Sequence, residues 1–381
     1  MYARFAGYFR QMRTVGIEEE LLLVDAKTGR PRSVSARILE RGGSHTTGPP
    51  DSSGGSLGHE LQQQQIETDT PPHRHMADLD ADVRAWRDTA IAEAREAGAR
   101  VVAVGTSPMP VEPRLVRDAR FERMAERFGL TTSEQLTCGC HVHVSVDSDE
   151  EAVGVLDRIR VWLPPILALS ANSPFWQGID TRYASFRTQV MNRWPTAGPN
   201  HVFGSAESYR RLIADMTSSG VLLDEGMVYF DVRLSHRYPT VEIRVADVCL
   251  HAEDTVFVAA LCRGLVETAS RSWQAGEPPP DVSTALLRLS VWQAAREGIE
   301  GNLLDPASSR PRPACQVVDE LLRHIRTALE KTGDHTLVEE RLTEIWSRGN
   351  GATRQRASLE RTGQLSDVVA DLAHVTAGQV G

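Results

Sequence analysis

The chain has 381 residues, 41% of them hydrophobic and 24% charged, with a net charge of −9 at neutral pH. This balance excludes a disordered chain, and the absence of any basic run excludes a nucleic-acid surface, so small molecules are the expected partners. The five cysteines are an odd number in a long chain and exclude a disulfide framework; no stretch approaches the roughly 18 apolar residues of a membrane helix.

The N-terminal MYARFAGYFRQMRTVG carries arginines but no apolar segment of signal-peptide length, which predicts a cytoplasmic protein. The candidate site residues run from 18 to 244 and have to converge, so residues 1–381 read as one domain. In the first strand, TVGIEEELLLV, Val15 and Ile17 face a core, Glu18 and Glu20 project together from the other face, and Glu19 points away from them. Two carboxylates on one face repel unless a cation or water separates them, and the apolar flanks argue against a solvated edge. Oxygen ligands favour Mg²⁺ or Mn²⁺ over zinc. Residues 42–58, rich in Gly, Ser and Pro, read as a mobile loop. HELQQQQIET reads as a strand in which Glu60 and Glu67, seven apart, reach one site only through a bulge or a turn.

Helical spacing of Leu79, Val83, Trp86, Ala90, Ile91 and Ala94 predicts a helix over 78–97, followed by the buried strand ARVVAVG and a helix over 118–129. CGCHVHVSV places His141 and His143 on one strand face and Cys138 and Cys140 on the other, which excludes a tetrahedral zinc site; the histidines read as metal ligands or phosphate contacts. A helix over 151–171 is interrupted by Pro164 and Pro165. Residues 172–204 have no clean period but carry Arg182, Arg187, Asn192, Arg193 and Trp194, as a substrate-binding loop would.

A helix over 208–219 and a strand over 227–233 lead to TVEIRV, where Val241, Ile243 and Val245 face the core and Glu242 and Arg244 the opposite side. A carboxylate able to hold a metal beside an arginine able to stabilise a transferring phosphoryl group is what phosphoryl chemistry requires. Arg233 and His236 stand just upstream. From 252 to 381 the pattern is helical, and GNGATRQR places Arg354 and Arg356 in a flexible turn, either touching nucleotide phosphates or forming a solvated basic loop. With only Lys27 and Lys331 as lysines, cationic roles fall to arginine.

Taken in order, GIEEELLLVD, ELQQQQIET, CGCHVHVSVD, SPFWQGIDTRYASFRTQ with RWPTAGP, and RLSHRYPTVEIRVADV resemble the carboxylate–amine ligases of the type 2 glutamate–cysteine ligase family. The resemblance implies an α+β fold like the glutamine synthetase catalytic domain: a curved, mainly antiparallel sheet with the site on its concave face and helices on the other. It implies ATP-dependent joining of the γ-carboxylate of L-glutamate to L-cysteine or another small amine through an acyl phosphate. It also implies that Glu18, Glu20, Glu60, Glu67 and Glu242 hold Mg²⁺ or Mn²⁺, and that His141 or His143 holds metal or ATP phosphates. Arg244 and Arg233 would contact the γ-phosphate, Arg182 and Arg187 would receive the acidic substrate, and a homodimer is what the family suggests. The alternatives are a guanidino phosphotransferase, which can use a similar sheet face, and a non-catalytic nucleotide-binding homologue.

Overall fold

The computed structural model describes residues 12–41 and 55–379. β1 (Val15–Asp25) is followed by α1 (Ser35–Arg41), β2 (Ser56–His59), β3 (Gln65–Asp69), α2 (Met76–Glu96), β4 (Ala99–Val102), α3 (Ala119–Phe128), α4 (Leu130–Ser133) and β5 (Gly139–Ser145). Then come α5 (Asp149–Ile159), α6 (Leu163–Ser170), the ribbon β6 (Phe175–Trp176) and β7 (Ile179–Asp180), α7 (Phe186–Met191), α8 (Ala206–Ser218), β8 (Val232–Leu234) and β9 (Thr240–Asp247). The remainder is helical: α9 (Ala252–Gln274), α10 (Thr284–Glu297), α11 (Ala314–Thr332), α12 (His335–Arg348), α13 (Gly351–Thr362) and α14 (Leu365–Thr376). A short ribbon, β10 (Asn302–Leu304) with β11 (Pro311–Pro313), interrupts it.

The main sheet has the order β2-β3-β1-β5-β9-β8, with β4 also pairing β1, and every pairing is antiparallel. This is an α+β fold. Register brings the charged pairs level: Glu20 lies opposite Glu67, Glu18 opposite His141, and His143 opposite Glu242, which in turn lies opposite Arg233. The partners of a cross-strand pair share a face, so these side chains form one patch. Between Cys140 and Val142 the β5–β9 register shifts, with Cys140 opposite Ala246 but Val142 opposite Ile243. This bulge on β9 turns Asp247, which strict alternation places with Val241 and Ile243, to stand opposite Gly139 on the charged face.

On the other face Val15, Ile17, Val142, Val144, Val241 and Ile243 are buried, and α2, α5, α6 and α9 pack behind the sheet. Glu19 points to this side as alternation requires, and Arg87 of α2 meets its charge. Nε donates to Oε2 (2.8 Å) and Nη2 to Oε1 (2.6 Å), while the Thr255 hydroxyl also donates to Oε1 (2.6 Å). The remaining Arg87 N–H groups reach the carbonyls of Leu250 and Cys249, so the buried pair leaves no charge unmet.

Four local expectations change. The segment HELQQQQIET is a hairpin, not one strand, with Glu60 in its loop. Of the loop expected over 42–58, residues 42–54 lie outside the described residues, and Ser56–Gly58 belong to β2. The strand expected over 227–233 is a 3₁₀ turn at Glu225–Met227 followed by the three residues of β8. Residues 351–362, expected to begin as a flexible turn, form α13, whose first turn is capped by the Asn350 side chain accepting from Thr353 N–H. Among the described residues, no helix is long and apolar enough to cross a membrane.

Candidate active site

Over the charged face lies a cavity of about 710 Å³ whose lining includes Glu18, Glu20, Glu60, Glu67, His141, His143, Arg187, Arg233, Glu242 and Arg244. Glu60 arrives there because the run Gln62–Gln65 pins its loop. The four side-chain amides donate to the carbonyls of Thr132, Leu115, Glu112 and Thr137 in turn. One carboxylate oxygen from each of Glu20, Glu60 and Glu67 lies within 4.8 Å of the others. Burial, and then the Glu20 charge, push Glu60 up to about 8, and burial with the charges of Glu18, Glu60 and Glu20 pushes Glu67 well above the usual carboxylate range.

A second cluster adjoins it through β1. Glu18, His143 and Glu242 bring ligand atoms within 4.8 Å of one another. Glu18 lies 3.0 Å from His141 Nδ1 and 3.2 Å from His143 Nε2, the latter without the alignment of a hydrogen bond. Burial works to raise the Glu18 carboxyl, but the two histidines hold it well below its ordinary value. His143 Nδ1 meets the Thr240 hydroxyl at 2.9 Å, and the Nε2 atoms of both His141 and His143 are buried without a hydrogen-bond partner.

Glu242 is braced on both sides. Arg233 Nε and Nη2 donate to its two oxygens at 2.7 and 3.1 Å, and Arg244 Nη1 also donates to it. Burial opposes ionisation of Glu242, yet Arg244 and Arg233 hold its carboxyl far below the usual range. Arg233 also donates to the carbonyls of Gly226 and Val228, so the structure makes it the brace of Glu242 and leaves Arg244 as the arginine beside His141.

Arg187 is the one residue of the 172–204 segment that reaches this face with a charge. It is 4% exposed, its Nε has no partner, and its Nη groups lie 3.3 and 3.4 Å from the carbonyls of Arg244 and Val245. The guanidinium sits where a side chain at 139 would otherwise project, so Gly139 makes its place. The cavity wall also includes Phe121, Met124, Met191, Trp194 and Tyr229. There Trp194 Nε1 donates to Gln135 (3.0 Å) and Gln135 to Thr137 (2.6 Å).

Three expected site residues are elsewhere. Arg182 is exposed in a left-handed turn, bonded through its N–H to Asp180. Arg356 pairs with that same Asp180 from α13, at 2.8 Å. Arg354 lines a separate cavity of about 340 Å³, beside Arg84, His251 and the end of α14. The helical geometry of α13 carries both arginines away from the cavity and sends Gln355 between them into the interior, where it is fully buried. Gln135, Thr137 and Tyr229 were not reached from sequence because they come from loops, and Phe121 and Met124, although inside the expected helix α3, are apolar side chains that nothing local assigns to the site. The Gln62–Gln65 run was the one local signal that the 112–137 segment packs against the site.

Comparison with known proteins identifies the class, a ligase that forms a C–N bond between a carboxylate and an amine. The fold aligns with a glutamate–cysteine ligase of Francisella tularensis solved in complex with AMP, with TM-score 0.68 and 13% identity over 96% of this chain and 88% of that one. Residues 14–371 match the sequence model of glutamate–cysteine ligase family 2, and the chain belongs to that family. It is 53% identical over 367 residues to a Streptomyces avermitilis protein provisionally named glutamate–cysteine ligase 2-1, covering 96% of this chain and all of that one. It is likewise 53% identical to a Streptomyces coelicolor protein provisionally named glutamate–cysteine ligase 2, over 94% of this chain and 98% of the relative.

Proposed function

We propose that this ligase uses ATP to join the γ-carboxylate of L-glutamate to a small amine, L-cysteine being the first candidate, through an acyl phosphate. The observation that carries the reading is the pair of acid clusters that meet at alternate positions of β1 beside Arg244 and Arg187. The residues fit divalent cations. Glu20, Glu60 and Glu67 repel one another until positive charge is placed between them, and the Nε2 atoms of His141 and His143 are orphaned in a polar cavity. Glu18, His143 and Glu242 would hold one Mg²⁺ or Mn²⁺, with His141 beside them, and Glu20, Glu60 and Glu67 another. Bound there, the ions would neutralise the phosphates of ATP and withdraw charge from the transferring group. AMP in the Francisella tularensis structure, and the substrates in the relatives' names, support the nucleotide and the amino acids.

The protein's own contribution is placement. Transfer of the γ-phosphoryl group to the γ-carboxylate releases ADP; attack of the amine on the acyl carbon then expels phosphate. Arg244, held by Glu242, meets the negative charge that spreads over the phosphoryl oxygens. Arg187, with a free Nε, receives the anionic amino acid. The wall of Phe121, Met124, Met191 and Trp194 keeps water from the acyl phosphate, which would otherwise hydrolyse. No observation favours the guanidino phosphotransferase, and the intact carboxylate set speaks against a non-catalytic homologue.

The test is Mg²⁺-dependent ADP release with L-glutamate and a panel of amines, with mass detection of the product. Turnover that requires both glutamate and one amine is expected. ADP release that needs neither, or a phosphorylated guanidine as product, would sink the reading.

A further inference from the structure

The RQR segment stands out for its arginines, yet the residue that points inward is the glutamine between them. Gln355 Nε2 donates to the Asn172 carbonyl (2.9 Å) and to its side-chain Oδ1 (2.7 Å). Asn172 is held further by donating Nδ2 to the carbonyls of Ala103 and Val248, and its N–H donates to Asp247 Oδ2 at 2.8 Å. The Ser173 hydroxyl donates to that same oxygen (2.6 Å) and the Ser185 hydroxyl to Oδ1 (2.8 Å). Arg187 completes the network: its N–H donates to Ser173 Oγ (3.0 Å), and its Nη1 lies 3.8 Å from Asp247 Oδ1. Gln355, Asn172, Ser173, Ser185 and Asp247 are all fully buried.

Two features mark this as more than packing. The bulge in β9 turns Asp247 to the charged face, beside the guanidinium. Gln355 Oε1 is buried without a partner, a cost that a leucine of similar volume would not carry, so the contribution of this amide lies in its N–H groups. We propose that Gln355 is a positioning residue for Arg187: through Asn172 and Asp247, α13 sets the angle at which the guanidinium faces the substrate. The inference rests on the reading of Arg187 as the group that receives the anionic amino acid.

Steady-state kinetics of the full chain test it. Gln355→Leu removes both bonds to Asn172 at nearly constant volume and should raise KM for L-glutamate about tenfold, leaving KM for ATP and kcat within about twofold. In an Arg187→Lys background the same change should add nothing, since both act through one guanidinium. An unchanged KM for glutamate, equal effects on both substrates, or effects that add in the double variant overturn the inference. Ser185→Ala, which removes a single bond to Asp247, should move KM in the same direction by a smaller factor and serves if Gln355→Leu does not fold. Should the wild-type protein not use L-glutamate at all, the proposed function fails instead. A crystal structure of the Gln355→Leu or Ser185→Ala protein then decides: Arg187 displaced from the Arg244 and Val245 carbonyls supports the positioning role, and an unmoved guanidinium refutes it.

Discussion

Gly139→Ala changes no chemical group in the cavity, yet it should disable the site. A methyl on residue 139 would lie 2.8 Å from Cζ and 3.0 Å from Nε of Arg187, and closer still to Nη2, where ordinary contacts begin near 3.4 Å. The guanidinium has to retreat by about 1 Å, because the backbone of β5 is fixed by pairing on both sides, to β1 and β9. Retreat breaks the long bonds to the Arg244 and Val245 carbonyls and shifts the charge relative to the reacting carboxylate. A displacement of that size costs about 10²-fold in kcat/KM. Overpacking costs about 1–3 kcal/mol of stability, offset by about 0.5–1 kcal/mol from the lower chain entropy of alanine. The assay is kcat/KM for L-glutamate together with urea unfolding, with Gly58→Ala on β2 as control, since nothing lies within 4 Å of a methyl there. Wild-type activity in folded Gly139→Ala, or an equal loss in Gly58→Ala, would refute the reasoning.

Glu60 and Glu67 both have raised pKa values, so in metal-free protein their contribution to stability is full below their ordinary value near 4.5 and is lost as pH rises, through about 8 for Glu60. In EDTA the Tm should therefore fall from pH 5 to pH 8, and Mg²⁺ should raise it more at pH 8 than at pH 6; a Tm increment independent of pH speaks against a metal between these carboxylates. Arg87→Ala strands the Glu19 carboxylate among α2, α9 and the sheet and should cost about 3–5 kcal/mol in denaturant unfolding. Glu18→Gln should abolish ADP release in a folded protein and cost less unfolding free energy than loss of Glu242, because the amide oxygen can still accept from His141 although the charge facing the two histidines is gone. Glu242→Ala should abolish it and also destabilise, by about 3–5 kcal/mol, because Arg233 and Arg244 lose a buried partner; equal stability of the two variants would show that the brace contributes nothing.

Three short runs of alternating residues, in β1, β5 and β9, determined the charged sheet face by themselves: in a strand side-chain parity is local, so Glu18 with Glu20, His141 with His143, and Glu242 with Arg244 had to share a side. The ordered motifs likewise carried the family, which the match over residues 14–371 shows. Parity fails where the backbone leaves the regular strand. Glu60 reaches Glu20 and Glu67 through a loop whose shape is set by glutamine amides bonded to carbonyls some 50 to 70 residues away, and Asp247 turns to the charged face, buried beside Arg187, through a bulge that no local pattern announces. Arg187 and Arg182 are five residues apart in one aperiodic segment, and only its docking on Asp247 and Gly139 selects the first and leaves the second in solvent. Arg354, Gln355 and Arg356 are parted by the 100° step of a helix, so the glutamine enters the interior while the two arginines stay outside. Sequence determines which side chains stand together on one element; hydrogen bonds between distant segments decide which loops and helix faces are brought to meet them.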